Sequence, residues 1–531
     1  MLYYRDFCTT HDHAYNIACA IEACRKSGAH TLIFDEGTYD IYPDRASEAF
    51  YAITNHGVPG LKRICIHLRD LDGFTVDGNG AKFVIHGIMC PVVIDGCRNV
   101  TIKNISFDNP NPFILQGEIV NVGDEYVDWK HELGEYTFRD NDLYIKTTLD
   151  EERVAYNPLC YNHENYMIRE NTSNFCFGVP FVEQRKELLP NGCIRIHDCQ
   201  KMPQLHDRVV IMPGKRYAAN IFVKDSFNTT VEDVTVFRGL GMGVVAQRSD
   251  TITLKKFCTQ RKDGIYFSAT ADATHFTNCK GRITLEDCRF ENQLDDGLNI
   301  HGIYTKIVGK TDNTLLLRYM HKDSFGIGIY TVGDTVAAVD PQSLIGDWQA
   351  RITDIEPYNL EFVRLTVDSS TDGVIVGDVL ENISTDADLT VKNCVMRGNK
   401  CRGMLIGTRG KVLVEGCNFH NAGCAVKFEC DGEYWYESGP VRDVTIKNNT
   451  FDHCKDGGRD TAIITCSPRK KVEEGRYYHE NIRITDNLFI TNGEPVFTAD
   501  NVDGVIFKNN RITNPTPYDI SVDHCINAEV E

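Results

Sequence analysis

Residues 389–396 read LTVKNCVM and residues 412–419 read VLVEGCNF, and their third positions, Val391 and Val414, are 23 residues apart. The shared pattern is apolar, Thr or Ser, apolar, polar, then Asn, Asp or Gly, two free positions and a final apolar residue. It recurs, sometimes loosely, as VTIKNISF (100–107), TTVEDVTV (229–236), ITLEDCRF (283–290), VTIKNNTF (444–451), IRITDNLF (482–489) and VIFKNNRI (505–512). Alternation within each copy predicts a short strand, and the Asn, Asp or Gly predicts the bend after it. The interval of 23 returns from Ile484 to Phe507, and from Val231 to Leu254 in the looser copy ITLKKFCT; Ile446 follows Val414 by 32, one loop longer. Short strands with Asn-rich bends at a period in the low twenties predict a right-handed parallel β-helix, an all-β fold whose coils stack about 4.8 Å apart. Ladders of Asn, Val, Ile and Cys are expected to fill its interior. The LxxLxL frame of leucine-rich repeats, which have a similar period, is absent.

An open end of such a stack invites aggregation and needs a cap. Residues 11–27 place Ala14, Ile17, Ala18, Ile21 and Cys24 on one helical face, with Gly28 as the stop signal, and predict an N-terminal capping helix. The repeat is lost twice. Strand-like stretches with turn signals continue through both gaps, and unstructured loops of that length would be unusual, so each gap is expected to hold a small inserted β-barrel. The resulting division is 1–65 for the cap and first strands, 66–112, 223–304 and 382–520 for the β-helix, 113–222 and 305–381 for the two barrels, and 521–531 for a C-terminal tail.

Composition narrows the partners. The 531-residue chain carries 56 Lys and Arg against 75 Asp and Glu, a net charge of -19. A field of that sign repels phosphate backbones, and the densest basic run, at 469–471, is followed at once by Glu473 and Glu474. Nucleic acid is excluded as a partner on this ground, and a neutral or cationic ligand is favoured. No eighteen apolar residues run together, so no membrane helix is expected. The start, MLYYRDFCTTHDH, lacks the apolar core of a signal peptide, which points to a cytoplasmic protein. The 21 cysteines show no close ligand spacing, and Cys288, Cys394 and Cys417 share one repeat position. They read as reduced, buried small hydrophobes, with no metal and no cofactor expected. A coil or barrel flank is available to pair subunits in a homo-oligomer.

ENQLDDGLNIHG (291–302) carries the chemistry. A single Asp at a coil bend has a structural explanation. Two adjacent ones, Asp295 and Asp296, do not, because burying both unpaired is costly and at least one must face a polar cleft. Asp272, in SATADATHF, precedes Asp295 by 23 residues, one coil of the tightest repeats. Three carboxylates gathered on one face suit glycoside hydrolysis: one is held protonated to donate to the leaving oxygen, and another, ionised, activates water. An inverting pair would lie about 6.5–9.5 Å apart. NKCRGMLIGTRG (399–410) adds Arg402. KFECDGEYWYESG (427–439) adds Glu429, Glu437 and Trp435, one of only three tryptophans, in a segment that breaks the repeat. A ring beside carboxylates is a common way to grip a sugar.

Taken together, ADATHF, DDGLNIHG, NKCRGMLIGTRGKV, WYESG and VVAQRS (244–249) resemble glycoside hydrolase family 110, the bacterial α-1,3-galactosidases, over most of the chain. DDG alone is shared with other β-helix hydrolases; the segments in this order are specific. The resemblance implies an exo-acting, metal-free hydrolase that releases terminal α-1,3-linked galactose with inversion from blood group B-type or linear α-galactosyl glycans, its partner being a galactose-terminated oligosaccharide. It implies Asp295 as general acid, Asp272 and Asp296 as the groups that position and deprotonate water, and Asn299, His301, Arg402, Glu429, Trp435 and Glu437 as the galactose pocket. Cys401 and Cys430 inside these segments, and the missing leader, depart from expectation for such enzymes. Two other readings remain open: a polygalacturonase-like inverting hydrolase, which lacks here the Arg-Ile-Lys run that holds a uronate, and a non-catalytic β-helix that binds glycans, which would not need the three aspartates.

Overall fold

The computed structural model describes residues 1–531 except 155, 173–174, 459 and 468–470, so Arg469 and Lys470 of the basic run lie outside the described residues. Almost all of it is strand, wound as a parallel β-helix. Every interval read from the repeat is a register pair: Val391 faces Val414, Val414 faces Ile446, Ile484 faces Phe507, and Val231 faces Leu254. The same ladder steps across both interruptions, pairing Ile102 with Val231 and Leu285 with Val391. Two long sheets result, one of 21 strands holding the repeat copies and one of 13.

The fifth position of the repeat explains the turn between strands. Asn104, Asp233, Asp287, Asn393, Gly416, Asn448, Asp486 and Asn509 all have φ between 53° and 68°. Asn, Asp and Gly enter this left-handed region at least cost, whereas a β-branched residue would press its Cβ on the following carbonyl. The sixth position points inward. Cys288, Cys394 and Cys417 stack there, and the column continues as Asn449, Asn487 and Asn510, whose amides bond to one another at 3.0 Å and to the backbone of the coil before. All 21 cysteines are free thiols, and 17 are buried.

The helix is His13–Ser27, capped by the Asp12 carboxylate on the Tyr15 amide (3.1 Å) and stopped by Gly28 at φ 69°. Ala14, Ile17, Ile21 and Cys24 face the coil interior as expected, but Ala20 and Asn16 join them and Ala18 is only half-buried, because the buried arc is centred one position further round. The first insertion builds a six-stranded antiparallel sheet from strands between Leu115–Val122 and Arg208–Ile211, with a three-stranded sheet beside it. Its Phe113, Trp129 and Phe181 pack on Val93, Phe222 and Val245, which stand on the outer face of the 13-stranded sheet. The second runs from Thr305–Lys310 to Val379–Asn382 and closes into a six-stranded barrel around its own core. Between them a stretch of the outer face of the 13-stranded sheet is left for polar residues. Among the described residues, no helix is long and apolar enough to cross a membrane.

Candidate active site

The polar stretch is made by strands Thr274–Thr277, Leu298–Ile303 and Met404–Ile406 and by the bends that lead into them. Alternation sends Leu298 and Ile300 into the coil and turns Asn299 and His301 out, and likewise sends Phe276 in and turns His275 out. Thr274 pairs with Leu298, and Leu298 with Met404. Counting back two residues, Asp272, Asp296 and Arg402 occupy one column in three successive coils. The local period is therefore 24, and Asp272 stacks on Asp296, not on Asp295 as the interval of 23 suggested. Hydrogen bonds fix the column: the Ala273 amide donates to the Asp296 carbonyl (2.9 Å) and the Gly297 amide to the Arg402 carbonyl (3.0 Å).

Arg402 answers the buried Asp296. Its guanidinium lies 2.9 Å from Oδ2 and its backbone amide donates to Oδ1 at 2.8 Å. Asp295, more exposed, accepts from Arg216 at 2.6 Å. Arg216 sits in the first insertion, on the loop between Arg208–Ile211 and Ile221–Lys224. Ligand-type atoms of Asp295, Asp296 and Cys401 lie within 4.8 Å of one another. The two guanidiniums already place positive charge on those carboxylates.

The three carboxyls are driven apart in acidity. Burial and the charge of Asp295 push Asp272 up to about 7, against the pull of Arg216 and Arg402. Burial pushes Asp296 up as well, well above the usual carboxylate range although Arg402 opposes it. Burial also acts on Asp295, but Arg216 and Arg402 outweigh it and hold that carboxyl below the usual range. A site with one committed anion and two proton-retaining acids can give and take protons near neutral pH.

His301 sits 3.5 Å from Glu437 Oε1. Glu437 reaches it because Glu437–Ser438 pairs antiparallel with Gly302–Ile303. Asn299 lies in register with His275, and its buried Oδ1 has no protein partner. The Arg402 Nε is buried without one too, so a bound sugar hydroxyl would find an acceptor and a donor here. Trp435 stands at the rim, 46% exposed, its ring 5.0 Å from His321 of the second insertion. Glu429 is paired with Lys427, which also faces Asp460 at 3.6 Å. Thus Asp272, Asp295, Asp296, His301, Arg402 and Glu437 converge, Asn299 adjoins them, Trp435 stands beside the second insertion, and Glu429 is paired with Lys427, which lies in register with Asn299 two coils along. Two residues escaped sequence reasoning. Arg216 lies outside the repeat, where no period pointed to it. His275, three residues after Asp272 in the quoted ADATHF, was legible by strand alternation alone.

The family described as "Right handed beta helix region" matches residues 375–531, and "GLAA-B beta-barrel domain II" matches 314–380. The chain is 32% identical to α-1,3-galactosidase A of Shewanella woodyi, over 94% of this chain and 83% of that protein. It is 31% identical to α-1,3-galactosidase A of Bacteroides fragilis (97% and 88%) and 30% identical to α-1,3-galactosidase B of Bacteroides thetaiotaomicron (94% and 83%). Among solved structures it is similar to the A-module of an Azotobacter vinelandii mannuronan C-5 epimerase, at TM-score 0.44 and 11% identity over 100% of this chain and 99% of that one. It is also similar to a family 28 exopolygalacturonase of Yersinia enterocolitica, at 0.43 and 11% over 99% and 78%.

Proposed function

The chain belongs to glycoside hydrolase family 110, the α-1,3-galactosidases, and from that premise we propose that it removes terminal α-1,3-linked galactose from blood group B-type or linear α-galactosyl glycans, with inversion at the anomeric carbon. It is a galactose-releasing glycosidase. The observation that carries the finer reading is the convergence of Asp272, Asp295 and Asp296 with Arg402 and Arg216 in the cleft.

Hydrolysis needs a proton at the departing glycosidic oxygen and a base at the attacking water. The resemblance makes Asp295 the acid, with Asp272 and Asp296 acting on water. For that assignment the Arg216 pair must open when sugar enters, since the pair favours the ionised carboxyl. The same pair supports a second assignment, in which Asp272 is the proton donor and Asp295 the base. Asn299, His301, Arg402, Glu429 and Glu437 supply hydroxyl contacts, and Trp435 offers a ring face at the rim.

Proton NMR of the protein with α-1,3-galactobiose and with blood group B trisaccharide tests this. The expected result is early β-galactose, and the ratio of rates reports whether a fucose branch is accepted. Early α-galactose overturns inversion. No cleavage of either sugar overturns the substrate assignment and leaves a polygalacturonase-like enzyme or a glycan-binding β-helix.

A further inference from the structure

His275 is fully buried and bonded through both ring nitrogens. Nδ1 lies 2.8 Å from Asp272 Oδ2, and Nε2 lies 3.1 Å from His301 Nε2. The other nitrogen of His301, Nδ1, is 2.6 Å from the Gly302 carbonyl. A carbonyl only accepts, so His301 Nδ1 carries hydrogen. The contact between the two Nε2 atoms then needs one hydrogen between them, and the contact of His275 with Asp272 needs another.

Counting these hydrogens leaves three arrangements: the two end states that follow, and between them a doubly protonated His275 flanked by an ionised Asp272 and a neutral His301. In the first, His301 is neutral and His275 holds its hydrogen on Nε2, so His275 Nδ1 is a bare acceptor and Asp272 must donate as a carboxylic acid. In the second, His275 holds its hydrogen on Nδ1 and donates to an ionised Asp272, so its bare Nε2 must accept from His301, which is then imidazolium. Ionised Asp272 with two neutral imidazoles would leave either two lone pairs facing each other at 3.1 Å or one facing the Gly302 carbonyl. One proton beyond that state is required by the geometry.

We propose that Asp272, His275 and His301 form a buried relay that passes this proton between the Asp272 carboxyl and the His301 imidazole. In the forward direction the O–H of Asp272 breaks as N–H forms at His275 Nδ1, and the N–H at His275 Nε2 breaks as N–H forms at His301 Nε2. The net result is a carboxylate and an imidazolium, with no proton exchanged with bulk water. Each end has support. Glu437 Oε1 lies 3.5 Å from His301 Nε2, on the atom that gains the hydrogen, and the Asn55 amide, 3.4 Å from His275 Nε2, can donate there once the hydrogen has left. Asp295, Asp296, Arg216, Arg402 and Glu437 are the other charged groups that interact with the Asp272 carboxyl, and Arg216 is bonded to Asp295. Burial alone would make neutral Asp272 a fixed acid; the relay gives it a charged form without leaving the charge uncompensated. His275 is a positioning and proton-passing residue, since it is closed off from the cleft.

The test uses the full-length protein labelled with 15N-histidine, read by long-range proton–nitrogen correlation with and without galactose, alongside Asp272→Asn. Asn has no anionic form, so it should lock His275 as the Nε2–H tautomer and His301 as neutral. The expected wild-type result is a His275 whose nitrogen shifts differ from those in Asp272→Asn, as the Nδ1–H tautomer or an average of the two, with His301 gaining imidazolium character in proportion. A wild-type His275 in the same tautomer as in Asp272→Asn, both with and without galactose, overturns the relay. So does a neutral His301 beside a neutral, Nδ1–H His275. This readout needs no turnover, so it fails or holds independently of the galactosidase reading. A kinetic arm rests on that reading: His275→Gln should lower kcat by about 10²-fold, the lower end for general acid–base groups, with KM nearly unchanged because His275 cannot reach the sugar. A folded His275→Gln with wild-type kcat overturns the relay.

Discussion

Asp295, with its Arg216 partner, and Asp272, with its histidine, are two carboxyls whose surroundings ask for opposite protonation states. A leaving-group series separates their roles. An aryl α-galactoside with a strongly acidic phenol departs without a proton, so removing the general acid should spare it while removing the base should not. If Asp295 is the acid, Asp295→Asn keeps most of the wild-type rate on that substrate and loses about 10²–10⁴-fold on α-1,3-galactobiose; if Asp272 is, Asp272→Asn shows that pattern. The acidity of Asp272 also has a stability cost. The group holds its proton to about pH 7 when folded but releases it near its ordinary value of 3.8 when unfolded. The stability tied to that proton is therefore complete below about pH 4 and is lost as pH climbs through 7, by roughly 4 kcal/mol from proton linkage. Asp272→Asn lacks the titration, so its apparent Tm should exceed that of the wild type by more at pH 8 than at pH 5; an equal gap at both would refute the buried acid. Sequence alone brought the three aspartates forward, since adjacent carboxylates at a bend and a third near one period away left few structural explanations. It could not supply their protonation, because Arg216 arrives from an insertion with no repeat to index it.

At the scale of the element, the coil is written in two positions of each repeat, the bend and the inward column after it. Asn448 is exposed and has φ 56°, so its side chain contributes little beyond permitting that backbone. Asn448→Val should destabilise by about 1–2 kcal/mol, the cost of forcing a Cβ-branched residue into the left-handed region, whereas Asn448→Gly should be nearly neutral. Equal effects of the two in chemical denaturation would mean that the Asn side chain, not the dihedral, matters there. The eight bends could be read in advance because the constraint is local: one dihedral, three residue types. The register error at Asp272 has the same origin. Its coil is one residue longer than the 23-residue repeats, and a loop length inside a coil leaves no mark on the strand pattern.

For the whole molecule, the insertions convert a repetitive stack into a cleft. One brings Arg216 onto Asp295 and the other brings His321 to Trp435, although the chain leaves and rejoins the same ladder across each. Their existence was legible as a loss of period and their strands as apolar alternation, but which side chains they deliver depends on packing between surfaces distant in sequence. The charge of -19 spreads over this assembly, and it separates the two hydrolytic readings by a simple physical measure. A neutral galactoside feels no net force from that field, so kcat/KM on α-1,3-galactobiose should change by less than about twofold as the Debye length shrinks from roughly 20 Å to roughly 4 Å with added salt. A polyuronate is repelled at the long Debye length and admitted at the short one, so any turnover of it should climb steeply with salt. Galactobiose hydrolysis that rises or falls tenfold across that range would mean that a charged group of the cleft, with Arg216 the foremost candidate by its partial exposure, is set by the ionic atmosphere and not by its aspartate partner.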